Sequence, residues 1–429
     1  MTHFALISPP FHSHLRALEA IAAQLLSRGH RVTVVQQADV TAALRHPQLG
    51  FAQVGSCSHP PGSLKAVIDR AARPGGPMGI RRVIADMAAA TEMFCRDAPA
   101  VLRAFDVDAI IADQMEPAGG LLADYLRLPF VSVACALPVN REPHVPLPVM
   151  PWRYRATPWG EQLNLRSSGV YDRMMQPHAE VISRYAAQFG LSPRQRLDEC
   201  LSPLLQISQT VPGFDYPRCA LPDSFYGVGP LRMALAEEPA LNVPVANGKP
   251  FVFASLGTLQ GDRFGLFERI AEACHELQVQ LLIAHCGRLD KQQESRLLKA
   301  GANWVTDFAP QRAVLARADA LITHAGLNTV LDALEAGVPS LAIPIAFDQP
   351  GVASRVAHAE VGVKLDPRLA SRRRIVHALR RLLRESEYSQ RARRLGEEVR
   401  AAGGAARAAE LIEKTLAVEA SMSRGVKHG

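Results

Sequence analysis

The 429-residue sequence lacks several features that would settle its class at once. No uninterrupted apolar run approaches the roughly 18 residues of a membrane-spanning helix. Its first residues show no basic stretch followed by a long apolar one, so no secretory signal is read there. The seven cysteines (Cys57, Cys95, Cys135, Cys200, Cys219, Cys274 and Cys286) are odd in number and contain no CxxC pair. A disulfide scaffold or a zinc ribbon is thereby excluded, and a reducing, cytoplasmic setting is expected. There is no short-period repeat and no low-complexity tract. Neither a Walker A sequence nor a GxGxxG following a strand is present, which speaks against a P-loop or a standard dinucleotide site.

What is present is ordinary globular material: 48% hydrophobic and 21% charged residues, enough chain for two or three domains. The net charge of +7 is mildly basic. Much of the excess lies in Arg372, Arg373, Arg374, Arg380, Arg381, Arg384, Arg391, Arg393 and Arg394. The plainest reading is the solvated face of one or two helices, ahead of contact with an anionic membrane. Nucleic acid comes third and is not expected as a partner, because no recognition motif accompanies the charge.

Short apolar runs alternate with amphipathic patterns. Phe4–Ile7 and Val32–Val35 are predicted strands around a helix marked by Leu15, Leu18, Ile21, Ala22, Leu25 and Leu26. Further strands are predicted at Ala109–Ala112, Phe130–Val133, Phe251–Ala254, Leu281–Ala284, Trp304–Thr306, Ala320–Thr323 and Ser340–Ile343. The halves meet near Gly227-Val228-Gly229-Pro230, with a linker through Asn242 to Pro250. Two doubly wound α/β halves place a cleft between them, lined by loops from the C-terminal ends of the strands.

Thr323-His324-Ala325-Gly326-Leu327-Asn328-Thr329 stands at a strand-to-helix turn. The amides of that first turn make an anion site, and His324, Asn328 and Thr329 add side-chain donors. Between Pro138 and Pro158 lie six prolines with Trp152 and Tyr154, followed by Trp159. That stretch reads as a surface loop, the alternative being an aromatic wall beside an apolar ligand.

Around the turn stand Phe308-Ala309-Pro310-Gln311, Ala336-Gly337-Val338-Pro339 and Phe347-Asp348-Gln349. The ordered series resembles the donor-binding signature of the UDP-dependent glycosyltransferases, and Ser255-Leu256-Gly257-Thr258 resembles their phosphate loop. The resemblance implies the GT-B fold, two Rossmann-like domains facing across a cleft. It implies an acceptor domain over residues 1–235, a UDP-sugar domain over 236–404, and a closing helix within 405–429 that packs back on the first domain. By position, Phe308 would stack on uracil, and Gln311 and Asp332 would contact ribose. Gly257, Thr258, His324, Gly326, Asn328 and Thr329 would hold the diphosphate. Asp348 and Gln349 would accept from hexose hydroxyls. Glu335 reads as a solvated helix face.

In the first half, Pro9-Pro10-Phe11-His12-Ser13-His14 follows a strand, with His14 at the place of the family's catalytic histidine. Asp113 stands where the family places the carboxylate that orients it. His12 is the rival base, read as a pocket-lining residue. Asp106-Val107-Asp108 mimics the metal-binding DxD of a different glycosyltransferase fold, but sits before a strand, at the wrong end for the site. No metal and no redox cofactor are expected.

A narrower set of matches spans His3–Gln37, Ala112–Gly119, Pro129–Pro148 and Val228–Arg232. These are similar to the branch of the family that glucosylates carotenoids in bacteria. The resemblance implies UDP-glucose as donor and the hydroxyls of zeaxanthin as acceptor. It also implies peripheral contact with a membrane or with other carotenoid enzymes. Another apolar alcohol (a sterol, polyketide or macrolide) and a nucleotide-sugar-binding protein without turnover are the alternatives.

Overall fold

The computed structural model describes residues 1–233 and 240–425. The expected boundary between residues 235 and 236 lies outside the described residues. Among those described, two parallel sheets form. The first contains β1 (His3–Ile7), β2 (Arg31–Gln36), β3 (Gly50–Gln53), β4 (Ala109–Asp113), β5 (Phe130–Ala134), β6 (Gln206–Ser208) and β7 (Phe225–Gly227), in the order β3-β2-β1-β4-β5-β6-β7. The second contains β8 (Phe251–Ser255), β9 (Gln280–Ala284), β10 (Trp304–Thr306), β11 (Ala320–Thr323), β12 (Ser340–Ala342) and β13 (Gly362–Lys364), in the order β10-β9-β8-β11-β12-β13.

The central strands β1, β4, β5, β8 and β9 are buried along their whole length, as parallel strands covered by helices on both faces must be. One face of the first sheet packs Leu6, Val34 and Ile111 against Leu18, Ile21 and Leu25; the other packs Ile7 and Ile110 against Phe94, Leu102 and Leu122. Both sheets reverse their winding beside the first strand, between β1 and β4 and between β8 and β11. At such a switch point the loops leaving adjacent strands diverge and open a crevice.

The halves meet along several contacts. Asp348 accepts from the Leu137 amide at 3.3 Å, and the Gly351 amide donates to Pro148 O at 2.9 Å. Arg355, 1% exposed, donates through Nε to Asp215 Oδ1 at 2.7 Å and stacks on Tyr216. The last helix, Gly404–Gly425, lays Ala408, Ala409 and Ile412 on the core that holds Leu18 and Ile21, the buried face of helix His12–Ser27. Glu413 there accepts from Arg28 at 2.7 Å.

The arginine-rich segment forms helices Arg372–Arg384 and Ser386–Ala401. Ile375, Val376, Leu379 and Leu382 point inward while Arg372, Arg381 and Arg391 pair with Glu276, Glu385 and Glu360. No helix among the described residues is long and apolar enough to cross a membrane.

Candidate active site

A cavity of about 1770 Å³ runs between the halves. The loops that leave β1, β8 and β11 line it, so both switch points open into one space.

On the first-half wall stands His14, on the helix that follows β1. Parallel pairing of β1 with β4 sets Ile7 opposite Ala112, which brings Asp113, the last residue of β4, beneath the turn. His14 Nδ1 lies 2.6 Å from Asp113 Oδ2, although the two are 99 residues apart. Asp113 is buried, and its other oxygen accepts from the Met115 amide at 2.8 Å. The carboxylate thus accepts the hydrogen bond of Nδ1–H and leaves the lone pair of Nε2 for the cavity. Burial works against a charged imidazole, but the charge and hydrogen bond of Asp113, with Asp348 adding, outweigh it and raise the pKa of His14. His12 is exposed and lies by Arg16 and Arg45; burial and these two arginines lower its pKa.

Two features of this wall gave no signal in the sequence. Cys135 brings its thiol to the same pair, so that nitrogen, oxygen and sulfur lie within 4.8 Å of one another. Burial and the charge of Asp113 raise the pKa of that thiol, and its hydrogen bond goes to the carboxylate. Further in, Thr91 Oγ1 donates to Glu116 Oε1 at 2.8 Å and lies 2.9 Å from His178 Nε2. Glu116 and His178 both line the cavity. Burial raises Glu116 to about 8 and lowers His178 to about 4, so both are neutral near pH 7.

On the opposite wall, helix Leu327–Glu335 begins at Gly326 with Leu327, Val330, Leu331 and Leu334 turned inward. Its N-terminus, with Asn328 and Thr329, faces the cavity. Ala325, just before it, holds a left-handed φ of 66°, a strained conformation for a residue with a side chain. The His324 ring is wedged between two glycines. A Cβ on Gly257 would come within 2.6 Å of Cε1, and one on Gly326 within 2.6 Å of Nε2. Burial lowers His324 to about 4, so a neutral ring stands beside the helix N-terminus. Thr258 is exposed to the cavity in the turn after β8.

Gln311 and Asp332 both line the cavity but engage each other: Gln311 Nε2 donates to Asp332 Oδ2. Arg232 pairs with the other Asp332 oxygen and with Glu335. Glu335 is therefore not the solvated position expected of it. It is tied to an arginine from the end of the first half, a pairing that no local pattern announces. Burial raises Asp332 despite Arg232. Asp348 lines the cavity; burial raises its pKa, against the pull of the Leu137 amide and His14. Gln349 departs from expectation. Its Oε1 already accepts from the Ile345 and Ala346 amides, both at 2.8 Å, so only Nε2 remains and it can donate but not accept. Phe308 is not brought into the cavity. It is 70% exposed at the rim beside the lining residue Ala309.

The Pro138–Pro158 stretch contributes Val139, Leu147, Pro148 and Val149 to the cavity, not its aromatic residues. Trp152 donates Nε1 to Asn164 Oδ1 at 3.1 Å, and Tyr154 stacks on Tyr216. Asp106 and Asp108 sit at the N-terminal end of β4, away from the cleft, with Asp108 accepting from the His3 amide. A second grouping, His285 with Glu294 and Asp307, also has metal-ligand atoms. There, Nδ1 accepts from the Leu289 amide at 3.1 Å. The proton must then sit on Nε2, which faces Asp307 at 3.3 Å and Glu294 at 3.5 Å and has no lone pair to give.

The UDP-glucoronosyl and UDP-glucosyl transferase family model matches residues 4–398. A zeaxanthin glucosyltransferase of Pantoea ananas is 47% identical over 97% of this chain and 96% of its own length. Another, of Pseudescherichia vulneris, is 43% identical over 99% of this chain and 100% of its own. Among solved structures, CalG4, the calicheamicin glycosyltransferase, superposes with a TM-score of 0.75 at 23% identity, over 98% of this chain and 99% of that one. With two Rossmann-like sheets about one cleft and this similarity along nearly the whole chain, the protein has the GT-B fold and belongs to the UDP-glucosyl and UDP-glucuronosyl transferase family of glycosyltransferases.

Proposed function

We propose that the protein transfers glucose from UDP-glucose to the hydroxyl groups of zeaxanthin, with inversion, giving first the mono- and then the diglucoside. The observation that carries this reading is the 2.6 Å His14–Asp113 pair facing a helix N-terminus across one cavity. A binding protein without turnover has no use for an oriented base. The acceptor assignment rests on the two relatives that bear the name zeaxanthin glucosyltransferase.

In this reading the acceptor hydroxyl lies against His14 Nε2. As its oxygen bonds to the anomeric carbon, the proton passes to Nε2 and the bond from that carbon to the β-phosphate oxygen breaks. The electron pair leaves with UDP. Asp113 holds the ring and stabilises the imidazolium that forms. The leaving charge meets the amides at Leu327–Thr329, the neutral His324 ring and Thr258, without a metal or redox cofactor. Gln311 and Asp332 would turn to the ribose, Asp348 would accept from sugar hydroxyls and Gln349 Nε2 would donate to them. Phe308 at the rim keeps a ring face for the uracil. The acceptor half of the cavity suits a long apolar molecule, with Ile84, Met87, Met115, Met175 and Ile182 on its walls. Such an acceptor is scarcely soluble in water, so a cytoplasmic enzyme would collect it at a membrane or from another carotenoid enzyme.

The test is the product. Incubation with UDP-glucose and zeaxanthin, followed by mass spectrometry, should show masses raised by one and by two hexosyl units. A sterol or polyketide glucosylated in place of zeaxanthin would keep the chemistry and overturn the acceptor.

A further inference from the structure

The acceptor cavity opens to the outside beside residues that are themselves apolar and exposed. Ile80 and Met174 both line it, yet are 38% and 41% exposed. Met174 ends helix Pro158–Met174, and Ile80 lies near the start of helix Pro77–Ala104.

The outward face of helix Pro158–Met174 continues from that opening. Trp159, Arg166, Val170, Arg173 and Met174 are all exposed and recur at helical spacing, with Trp159 at 61% and Val170 at 71%. Its two acids turn elsewhere: Glu161 pairs with His144 at 2.7 Å, and Asp172 accepts from Arg141 at 2.6 Å. Across the opening, Met78 is 65% exposed and is followed by exposed Arg81 and Arg82. Among the described residues, Arg81, Arg82, Arg166 and Arg173 form no ion pair. Large apolar side chains at the surface are common singly; a group of them framed by unneutralised arginines at the mouth of an apolar cavity is not. That combination fits a bilayer carrying anionic headgroups, where arginines meet phosphates and Trp, Val and Met enter the boundary layer.

We propose that this face docks on an anionic lipid bilayer and that the acceptor enters the cavity there, passing from membrane to enzyme without crossing water. The entry half of the claim rests on the apolar acceptor of the proposed function; the docking half does not. The arginine-rich helix Arg372–Arg384, whose buried side packs into the core of the second half, is a separate basic surface and serves as a control.

Co-sedimentation of the full chain with vesicles of phosphatidylglycerol and phosphatidylcholine in equal parts tests the docking. The wild type and an Arg373→Glu/Arg380→Glu variant should bind, and should bind pure phosphatidylcholine far less. Val170→Glu and Arg82→Glu/Arg166→Glu should lose about tenfold or more in binding. They should lose a similar factor in transfer to zeaxanthin embedded in those vesicles. UDP affinity and transfer to zeaxanthin in detergent micelles should be unchanged, which shows that the variants fold. Sedimentation of both variants like the wild type would overturn the docking surface. Lost sedimentation with undiminished transfer from vesicles would overturn the entry route. Failure to use zeaxanthin in any form would overturn the proposed acceptor and leave the sedimentation result standing.

Discussion

A histidine against a buried carboxylate does not titrate as it would in water. Asp113, with the charge of Asp348 adding, raises the pKa of His14 above its usual 6.5 against the effect of burial. As the proposed base, His14 must be neutral to accept a proton, so kcat/KM should climb with pH through that raised value. Asp113→Asn removes the charge and should move the rise to lower pH while slowing the reaction. A pH–rate profile of both proteins checks this; an unmoved acid limb would mean that Asp113 does not act on His14. Glu116 gives a second residue-scale expectation, in stability. Burial raises it from 4.5 to about 8, so between these values the folded state keeps a proton that the unfolded chain has released. Its contribution is therefore complete below the unfolded pKa and is lost as pH rises through the folded one, with a slope of at most about 1.4 kcal/mol per pH unit. Glu116→Gln should flatten that slope in denaturant unfolding measured across the same range. A slope that persists in the variant would assign it to another group.

At the level of elements, the proposed donor wall is a strand-to-helix turn whose parts are fitted to one ring. Gly257 has a left-handed φ of 71° and no room for a Cβ beside His324. Gly257→Ala should weaken UDP binding by about tenfold or more, some 1.4 kcal/mol, as titration calorimetry would read. Normal affinity in that variant would show that the fit around His324 is not needed. The contact between the halves makes a different expectation. Asp215 is held down to about 2, because the charges of Arg355 and Arg218 exceed the effect of its burial. Arg355→Met leaves that carboxylate short of one partner in the interior and should cost about 3–5 kcal/mol in denaturant unfolding. These elements were unequally legible in the sequence. Apolar runs such as those of β1, β4, β8 and β11 announced themselves, because buried parallel strands are hydrophobic throughout. β3, β6, β7 and β13 did not; they are three or four residues long, carry Gly, Gln, Ser or Lys, and owe their pairing to the strand beside them.

At the scale of the whole molecule, the site is a product of topology. Residues from the strand ends at two switch points could be located by motif and resemblance, and His14, Asp113, His324, Gly326 and Asp348 gather about the cleft as those motifs imply. Other contacts carry no motif and could not be read in advance. Cys135 reaches Asp113 because β5 pairs with β4, the Ile345 and Ala346 amides occupy Gln349 within one loop, and Arg232 reaches Asp332 and Glu335 only because the halves meet. The closed cleft also bears on metals. If backbone amides, His324 and Thr258 carry the leaving charge, incubation with EDTA should leave transfer essentially intact. Activity lost on chelation and restored by magnesium or manganese would contradict that.

The most direct measurement is the turnover of His14→Ala with UDP-glucose and zeaxanthin, set beside its UDP affinity. The expected result is a rate lower by about 10²–10⁴-fold with UDP binding unchanged, since the proposed base and the proposed nucleotide site stand on opposite walls. Near-normal turnover by that variant would contradict the account.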